Sequence, residues 1–415
     1  MSKGRVCLAY SGGLDTSTIL VWLLNEGYTV VCYLANVGQE EDFTAVEEKA
    51  LKLGAEAFVC EDLQRELVEE VVFKAIMCNA IFEDAYLLGT ALARPVIARS
   101  QVRVAERHNC QYLSHGCTGK GQRLSNAGTN NFSSQVRFEL AFMALNPSLK
   151  VIAPWRLPEF IQRFQGRTSL LKFAAENNIP VSSTPKAPWS MDDEDPDKTP
   201  PKELWTRTVD PVNAPNEPQE FAIHFENGIP IKVVTSDKEA VDSVDLFKLL
   251  NKIGHDHGVG RIDVRFIGLK SRVIANLVCS TPGLTLVRLA HLDLEGLVMD
   301  SRVRELRDQF VTLPWSRQLY QGMYFSPERE FVENSIVFSQ RGVSGVVRMA
   351  AYRGNAYVLG RSSESSNLYS EQDASMDSLE GFSPVDTSGF IAIQGIRLKK
   401  FGLQKIKDGE PLSKS

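Results

Sequence analysis

Val6-Cys7-Leu8-Ala9-Tyr10-Ser11-Gly12-Gly13-Leu14-Asp15-Thr16-Ser17 passes from an apolar run straight into a turn of glycines and hydroxyls, and an apolar helical stretch follows. A strand, a Gly-rich turn and a helix start make an anion cradle in which Gly12 and Gly13 are expected at positive φ. The N–H groups of the first helical turn, with the hydroxyls of Ser11, Thr16 and Ser17, are placed to face a phosphate chain. Asp15 at the helix start is favoured by the dipole and suits Mg²⁺. The P-loop spacing G-x-x-x-x-G-K-[ST] is absent from the chain, and the adjacent glycines differ from a Rossmann G-x-G-x-x-G. The turn reads as a pyrophosphate-binding loop; the plainer alternative is an ordinary strand–helix turn with a serine cap.

The flanking pattern favours the loop. Arg5–Tyr10 predicts a strand, Thr16–Asn25 a helix stopped by Gly27, Thr29–Ala35 a strand, Glu41–Leu53 a helix ended by Gly54, and Ala57–Cys60 a third strand. This βαβαβ order predicts a parallel sheet with ligands beyond the C-terminal strand ends. Ala35 lies at that rim. A fourth strand at Tyr112–Ser114 leads into His115-Gly116-Cys117-Thr118-Gly119-Lys120-Gly121, a second Gly-rich loop on the same edge.

Net charge of −5 over 415 residues argues against nucleic acid as the main partner. No apolar run approaches a membrane span, and no secretory signal pattern opens the sequence. The seven cysteines form no C-x-x-C pair and read as reduced core residues of a cytoplasmic protein, with Cys117 set apart by its loop. His255-Asp256-His257 invites a metal, but i, i+2 spacing on a helix separates the imidazoles, so a charged helix end is the better reading.

Met191 to Pro218, dense in Pro, Asp, Glu and Lys, reads as a linker or surface excursion. Beyond it, strands are expected at Phe221–Phe225, Val346–Tyr352 and Ala356–Leu359, a turn at Asn227-Gly228, and helices at Ser243–Ile253 and Leu294–Phe310. A basic amphipathic stretch ends near Lys407 and suits a subunit contact or a solvated helix. The expected division is an ATP-binding domain at 1–168, an α+β synthetase and multimerisation domain at 169–363, and a tail at 364–415.

The blocks AYSGGLDTS, YLANVGQ, YLLGTALARP, SHGCTGKG, QVRFEL, VIAPWR, TPKAPWSMD, HGVGRID and RFIGLKSR resemble those of the argininosuccinate synthase family over nearly the whole chain. The resemblance implies an α/β fold of the pyrophosphate-loop, adenine nucleotide α-hydrolase-like type. It also implies a ligase of arginine biosynthesis and the urea cycle. In that family citrulline's ureido oxygen attacks the α-phosphate of ATP, releasing pyrophosphate, and aspartate's amine then displaces AMP. The resemblance places ATP with Mg²⁺, and no tightly bound cofactor, against Ala9, Tyr10, Ser11, Gly12, Gly13, Leu14, Asp15, Thr16, Ser17, Ala35, Ser114, His115, Gly116, Cys117, Gly119, Lys120 and Gly121. Citrulline falls to Tyr86, the Gly89-Thr90-Ala91 turn, Gln122, Arg137 and Ser190, and aspartate to Thr118 and Gln122. It further implies a cytoplasmic homotetramer with no nucleic acid or membrane partner. Taken alone, Tyr86 also reads as a packing aromatic, Arg137 as an ion-pair partner, Ser190 as a cap and Lys120 as a solvated loop lysine.

Three departures interrupt these blocks. The family's Asn-Asp after Gly-Lys-Gly is replaced by Gln122 and a polar run to Ser134 before Gln135-Val136-Arg137 resumes. The Asn-Leu segment after Asp192 is missing, and so are a Val-Glu-Asn after Asp263 and a Tyr after Arg272. A hydrogen bond to a charged group contributes roughly 1.5–3 kcal/mol, and each ~1.4 kcal/mol is tenfold in affinity. Losing several such contacts predicts weakened amino-acid binding beside a complete ATP cradle. The alternative function is therefore an ATP-binding homologue of low turnover with a binding or regulatory role. Interruptions inside matched blocks are the pattern expected of coding segments joined at displaced boundaries, which sequencing the transcript tests. A related enzyme acting on tRNA or a purine is disfavoured by the acidic pI of about 5.8 and by the missing Cys/His glutaminase pairing.

Overall fold

The computed structural model describes residues 2–84, 86–117, 134–180, 205, 207–261, 264–266, 269–271, 281–364, 370 and 385–409. Five strands form a parallel sheet: β1 Arg5–Ala9, β2 Thr29–Asn36, β3 Ala57–Asp62, β4 Tyr112–His115 and β5 Lys150–Ile152, in the order β3-β2-β1-β4-β5. Val6, Cys7, Leu8 and Val30 to Leu34 are buried on both faces, as continuous apolar runs in a covered parallel sheet must be. Helix α1 (Leu14–Asn25) follows β1, α2 (Phe43–Lys52) follows β2, and Asp42 caps α2 by accepting from the Ala45 N–H. The chain then runs through α3 (Gln64–Glu66), a π segment at Leu67–Val72, α4 (Phe73–Met77) and α5 (Gly89–Arg107). From there it returns to place β4 on the far side of β1. That reversal makes the β1/β4 crevice the topological switch point, where a ligand site is expected.

In the parallel-sheet half, strand and helix positions agree with the sequence expectation to within a few residues, with one consequential shift. β4 extends to His115, so that residue closes a buried strand instead of opening the loop. After α6 (Ser134–Leu145) and α7 (Pro158–Arg163), helix α8 (Arg167–Glu176) begins beside the expected boundary at 168. Its Leu170, Phe173 and Ala174, with Ile179, share a core cluster with Ile19, Leu23 and Trp22 of α1.

The second half is built on an antiparallel sheet, β12-β11-β6-β7-β8 in space. Its strands are β6 Gln219–Glu226, β7 Ile229–Thr235, β8 Glu239–Ala240, β11 Gly345–Tyr352 and β12 Asn355–Ser362, and a separate hairpin pairs β9 Val264–Phe266 with β10 Leu269–Ser271. β6 buries Phe221, Ile223 and Phe225 on one face, and Asn227 and Gly228 turn it into β7 at positive φ. Helices α9 (Ser243–Asp256), α10 (Thr281–Val298), α11 (Ser301–Arg307), α12 (Leu313–Gln321) and α13 (Pro327–Ser339) accompany this sheet. The single helix expected over Leu294–Phe310 is two, because Asp300 leaves helical geometry and caps α11 with bonds from Arg302 and Val303 N–H. His255 and Asp256 end α9, with His255 Nδ1 3.0 Å from Asp256 Oδ1.

A buried polar knot joins α4 to this half. Glu295 pairs with Arg307, whose Nη1 donates to the Met77 carbonyl at 3.0 Å; Gln340 Nε2 donates to the same carbonyl at 2.7 Å and to Glu295 at 3.0 Å. His291 adds a contact to Gln340 at 2.9 Å. The chain divides into two compact units, Met1–Ser365 and Ser366–Ser415. The second contains α14 (Asp386–Lys407), a single helix.

Arg307→Ala leaves the fully buried Glu295 without its arginine partner, keeping only the Gln340 hydrogen bond, and should cost about 3–5 kcal/mol of unfolding free energy. Urea titration measures this; a loss below ~1 kcal/mol would show that the knot is not needed.

Candidate functional site

At the C-terminal edge of the parallel sheet the register sets Ala9 beside Tyr33 on one side and His115 on the other. A cavity of about 520 Å³ opens there, within the usual size of a small-molecule site. Ala9, Tyr10, Ser11, Gly13, Asp15, Thr16, Ala35, Thr90, His115, Gly116 and Cys117 line it, all anticipated from the sequence.

The Gly-rich turn is shaped by what lies against it. Gly12 takes φ +72°, and a Cβ there would sit 3.0 Å from Val46 Cγ2. Gly13 is instead extended at φ −69°, because it is the N-cap residue of α1 and caps occupy the β region. The Ser17 N–H makes the helical bond to the Gly13 carbonyl at 3.0 Å that closes the first turn of α1. Lys49 of α2 donates from Nζ to the Gly12 carbonyl at 2.6 Å and pins the turn from outside. Partial burial draws the Lys49 pKa below its ordinary value. Gly116 is held close on the other side: a Cβ on it would lie 2.6 Å from Thr16 Cγ2.

Not every anticipated side chain faces the cavity. Ser17 is buried, donating to the Gly12 carbonyl at 3.3 Å and lying 3.1 Å from the Tyr10 hydroxyl, so it braces the turn. Leu14 packs in the core, leaving only its main chain for a ligand. The Ser114 side chain is buried while its carbonyl accepts from Gln101 Nε2 at 2.9 Å. Ala91 is buried on α5.

Tyr86 and Arg137 do come together, but around Tyr320. Tyr86 accepts the Thr90 N–H at 3.2 Å and meets the Tyr320 ring edge-on at 6.1 Å. Arg137 donates from Nε to the Tyr320 carbonyl at 2.6 Å, with its guanidinium 4.7 Å from that ring's centroid. Burial holds the Arg137 pKa below its ordinary value. The void beside it measures about 10 Å³, too small for an amino acid. Thr118, Gly119, Lys120, Gly121, Gln122 and Ser190 lie outside the described residues.

Arg94, Gln39, Tyr33, Ile97 and Phe138 also line the cavity and Lys49 lies behind it, none of them expected there from the sequence. Arg94 was within reach: it follows Thr90 by one helical turn on α5 and so shares its face. Its guanidinium lies 5.2 Å from the Phe138 ring centroid, and Phe138 stacks on His115 at 5.9 Å. Gln39 shapes the rim after β2, donating to the Ala35 carbonyl at 2.7 Å and accepting from the Val37 N–H at 2.8 Å. His115 is buried with Glu139 Oε1 3.4 Å from Nε2, and Arg156 pairs with the other Glu139 oxygen. Burial alone would lower the His115 pKa, but Cys117 and Glu139 raise it to about 9.

A helix N-terminus and the Gly12-Gly13 turn at the switch point of a parallel sheet, with Gly116 close beside them, define an α/β protein of the pyrophosphate-loop type. Residues 5–180 match the family profile described as arginosuccinate synthase N-terminal HUP domain, and residues 189–401 that of the arginosuccinate synthase C-terminal domain. Argininosuccinate synthase of Saccharomyces cerevisiae is 50% identical, with 100% of each chain covered. The Schizosaccharomyces pombe enzyme of that name is 52% identical over 95% of this chain and 96% of its own, and that of Rattus norvegicus 47% identical over 96% and 97%. The chain belongs to the argininosuccinate synthase family. The alignment with the budding-yeast relative runs to 434 positions against 415 residues here, so that relative carries residues without a counterpart in this chain.

Gly12→Ala forces a Cβ onto a left-handed backbone against Val46 and should destabilise the chain by about 1–2 kcal/mol. An unchanged urea midpoint would show that the turn relaxes freely.

Proposed function

We propose that this chain joins citrulline to aspartate at the expense of ATP, giving argininosuccinate, AMP and pyrophosphate, as a step of arginine biosynthesis and the urea cycle. The observation that carries the proposal is the cavity over Ser11, Gly13 and Thr16, with the first turn of α1 at its edge and family membership along the whole chain. Pyrophosphate is the leaving group, so donors around the β and γ phosphates stabilise charge that grows in the transition state. Ser11, Thr16 and the first-turn amides suit that task, and Arg94 adds a fixed positive charge to the lining. Asp15, the carboxylate among the described lining residues, suits the Mg²⁺ that would accompany ATP. The apolar surfaces of Tyr33, Ile97 and Phe138 suit a purine ring.

Citrulline is proposed to use Tyr86, Thr90, Ala91, Gln122, Arg137 and Ser190, and aspartate Thr118 and Gln122. For Arg137 this requires the Tyr320 carbonyl and ring to give way, since they hold its guanidinium. The amino-acid half therefore needs rearrangement where the nucleotide half is open. The domain division at 168 and 363, the cytoplasmic location and the homotetramer are part of the same proposal. Exposed Phe390, Ile393, Phe401 and Leu403 on α14 support subunit contact, because such an apolar surface favours cover. No described helix is long and apolar enough to cross a membrane.

Calorimetry should show saturable heat with ATP and Mg²⁺; its absence would sink the nucleotide assignment. Lys49→Met should weaken ATP by roughly tenfold or more, since one charged hydrogen bond to the turn is lost. Citrulline-dependent pyrophosphate release should fall well below that of the yeast relative, and equal turnover would show that the missing contacts are replaced.

A further inference from the structure

Thr90, Arg94 and Ile97 are spaced i, i+4 and i+7 on one face of α5, and all three line the nucleotide cavity. At 1.5 Å of rise per residue, Arg94 stands about 6 Å along the axis from Thr90 and about 4.5 Å from Ile97. Thr90 is tied to Tyr86 through its N–H, at the amino-acid end of the site, whereas Ile97 belongs to the apolar walls that suit a purine. The Arg94 guanidinium lies 5.2 Å from the ring centroid of Phe138, another of those walls. Arg94 also lines the small void beside Arg137, so among the described residues it borders both spaces. Its charge has no counter-ion there. Arg5, Arg99, Arg103, Arg107 and Arg156 of the same half each meet a glutamate. No described carboxylate pairs with half-buried Arg94, and its Nε is buried without a hydrogen-bond partner. A guanidinium left so, beside a cavity whose other walls offer phosphate donors, is built to receive an anion from a ligand.

We propose that Arg94 is a catalytic residue that binds the α-phosphate of ATP and stabilises the charge gathering there as citrulline's ureido oxygen attacks. This role rests on the reaction proposed above and assigns the phosphate that Arg94 reads. Ser11, Thr16 and the first turn of α1 take the β and γ phosphates, and Tyr33, Ile97 and Phe138 take the purine, so the α-phosphate falls between them. Adenylation must also bring that phosphorus against the citrulline oxygen, which places it toward Thr90. Arg94 stands at that junction, between Thr90 and Ile97 on the same helix face. In the step, the bond from the ureido oxygen to phosphorus forms as the bond from phosphorus to the bridging oxygen breaks. Pyrophosphate leaves with that electron pair, and the positive charge left on the adenylated ureido group is shared by its nitrogens until a proton is lost to water. Arg94 stays protonated throughout. Its planar fork matches two non-bridging oxygens of one phosphate, which gain charge in the transition state.

The test compares adenosine, AMP and ATP by calorimetry on the full chain and on its Arg94→Gln variant. The unaltered chain should bind AMP roughly tenfold or more tightly than adenosine, the gain expected of a charged hydrogen bond to phosphate. Arg94→Gln should lose that preference while adenosine affinity stays the same. ATP should still be favoured over AMP by the same factor, because the α1 turn keeps its hold on the tail. In citrulline-dependent pyrophosphate release, kcat should fall about a hundredfold with little change in the KM for citrulline. If Arg94→Gln does not fold, Arg94→Lys gives the same comparison: an ammonium cannot form the planar fork, and the AMP preference should fall roughly threefold or more. Equal affinity for adenosine and AMP in the unaltered chain, or an AMP preference that survives the substitution, overturns the role. So does a variant that loses citrulline saturation alone. Failure of the unaltered chain to bind any of the three ligands overturns the nucleotide assignment and this role with it. Binding without citrulline-dependent release overturns the reaction proposed above and the catalytic part, while the AMP-to-adenosine ratio still decides whether Arg94 holds the α-phosphate.

Discussion

Everything at the site depends on how the backbone turns between β1 and α1. A helix can start at the sheet edge only if the preceding chain leaves the sheet abruptly, and Gly12 at φ +72° makes that departure. Val46 and Lys49 close over the turn from α2, one by packing and one by a 2.6 Å bond to the Gly12 carbonyl. Ser17 and Tyr10 brace it from below through buried hydroxyls. The turn is thus held on the sides a ligand does not need, and the remaining side opens to the cavity.

The second half supplies support. Its antiparallel sheet and helices are tied to α4 through Glu295, Arg307 and Gln340, which converge with the Met77 carbonyl. A buried charged pair is weak evidence for net stability, because desolvation offsets much of its attraction. Its geometry nevertheless specifies one docking of the two halves, since any slip strands a carboxylate in the core. Tyr320 comes from this half as well, and it occupies the space between Tyr86 and Arg137.

Periodicity and turn chemistry made most of the nucleotide half legible. Continuous apolar strands, Gly27 and Gly54 as helix stops, and the Asn227-Gly228 turn each have a local cause, and each appears where its cause lies. Local signals failed where partners are distant. Gly13 does not take positive φ because it caps a helix, and Ser17 turns inward because Tyr10 lies beneath it. The helix expected over Leu294–Phe310 breaks at Asp300, whose capping bonds compete with the apolar period that runs across it.

The amino-acid sequence by itself determined the class of protein, the strand–helix order and the Gly12-Gly13 turn at the sheet edge, because these depend on neighbours a few residues away. Only the tertiary structure decided which side chains meet there. Lys49 reaches Gly12 from a separate helix, Arg94 and Phe138 join His115 and Cys117 from two more, and Arg137 is claimed by Tyr320 from the far half of the chain. Such meetings are set by packing between elements remote in sequence, and no local pattern of residues encodes them.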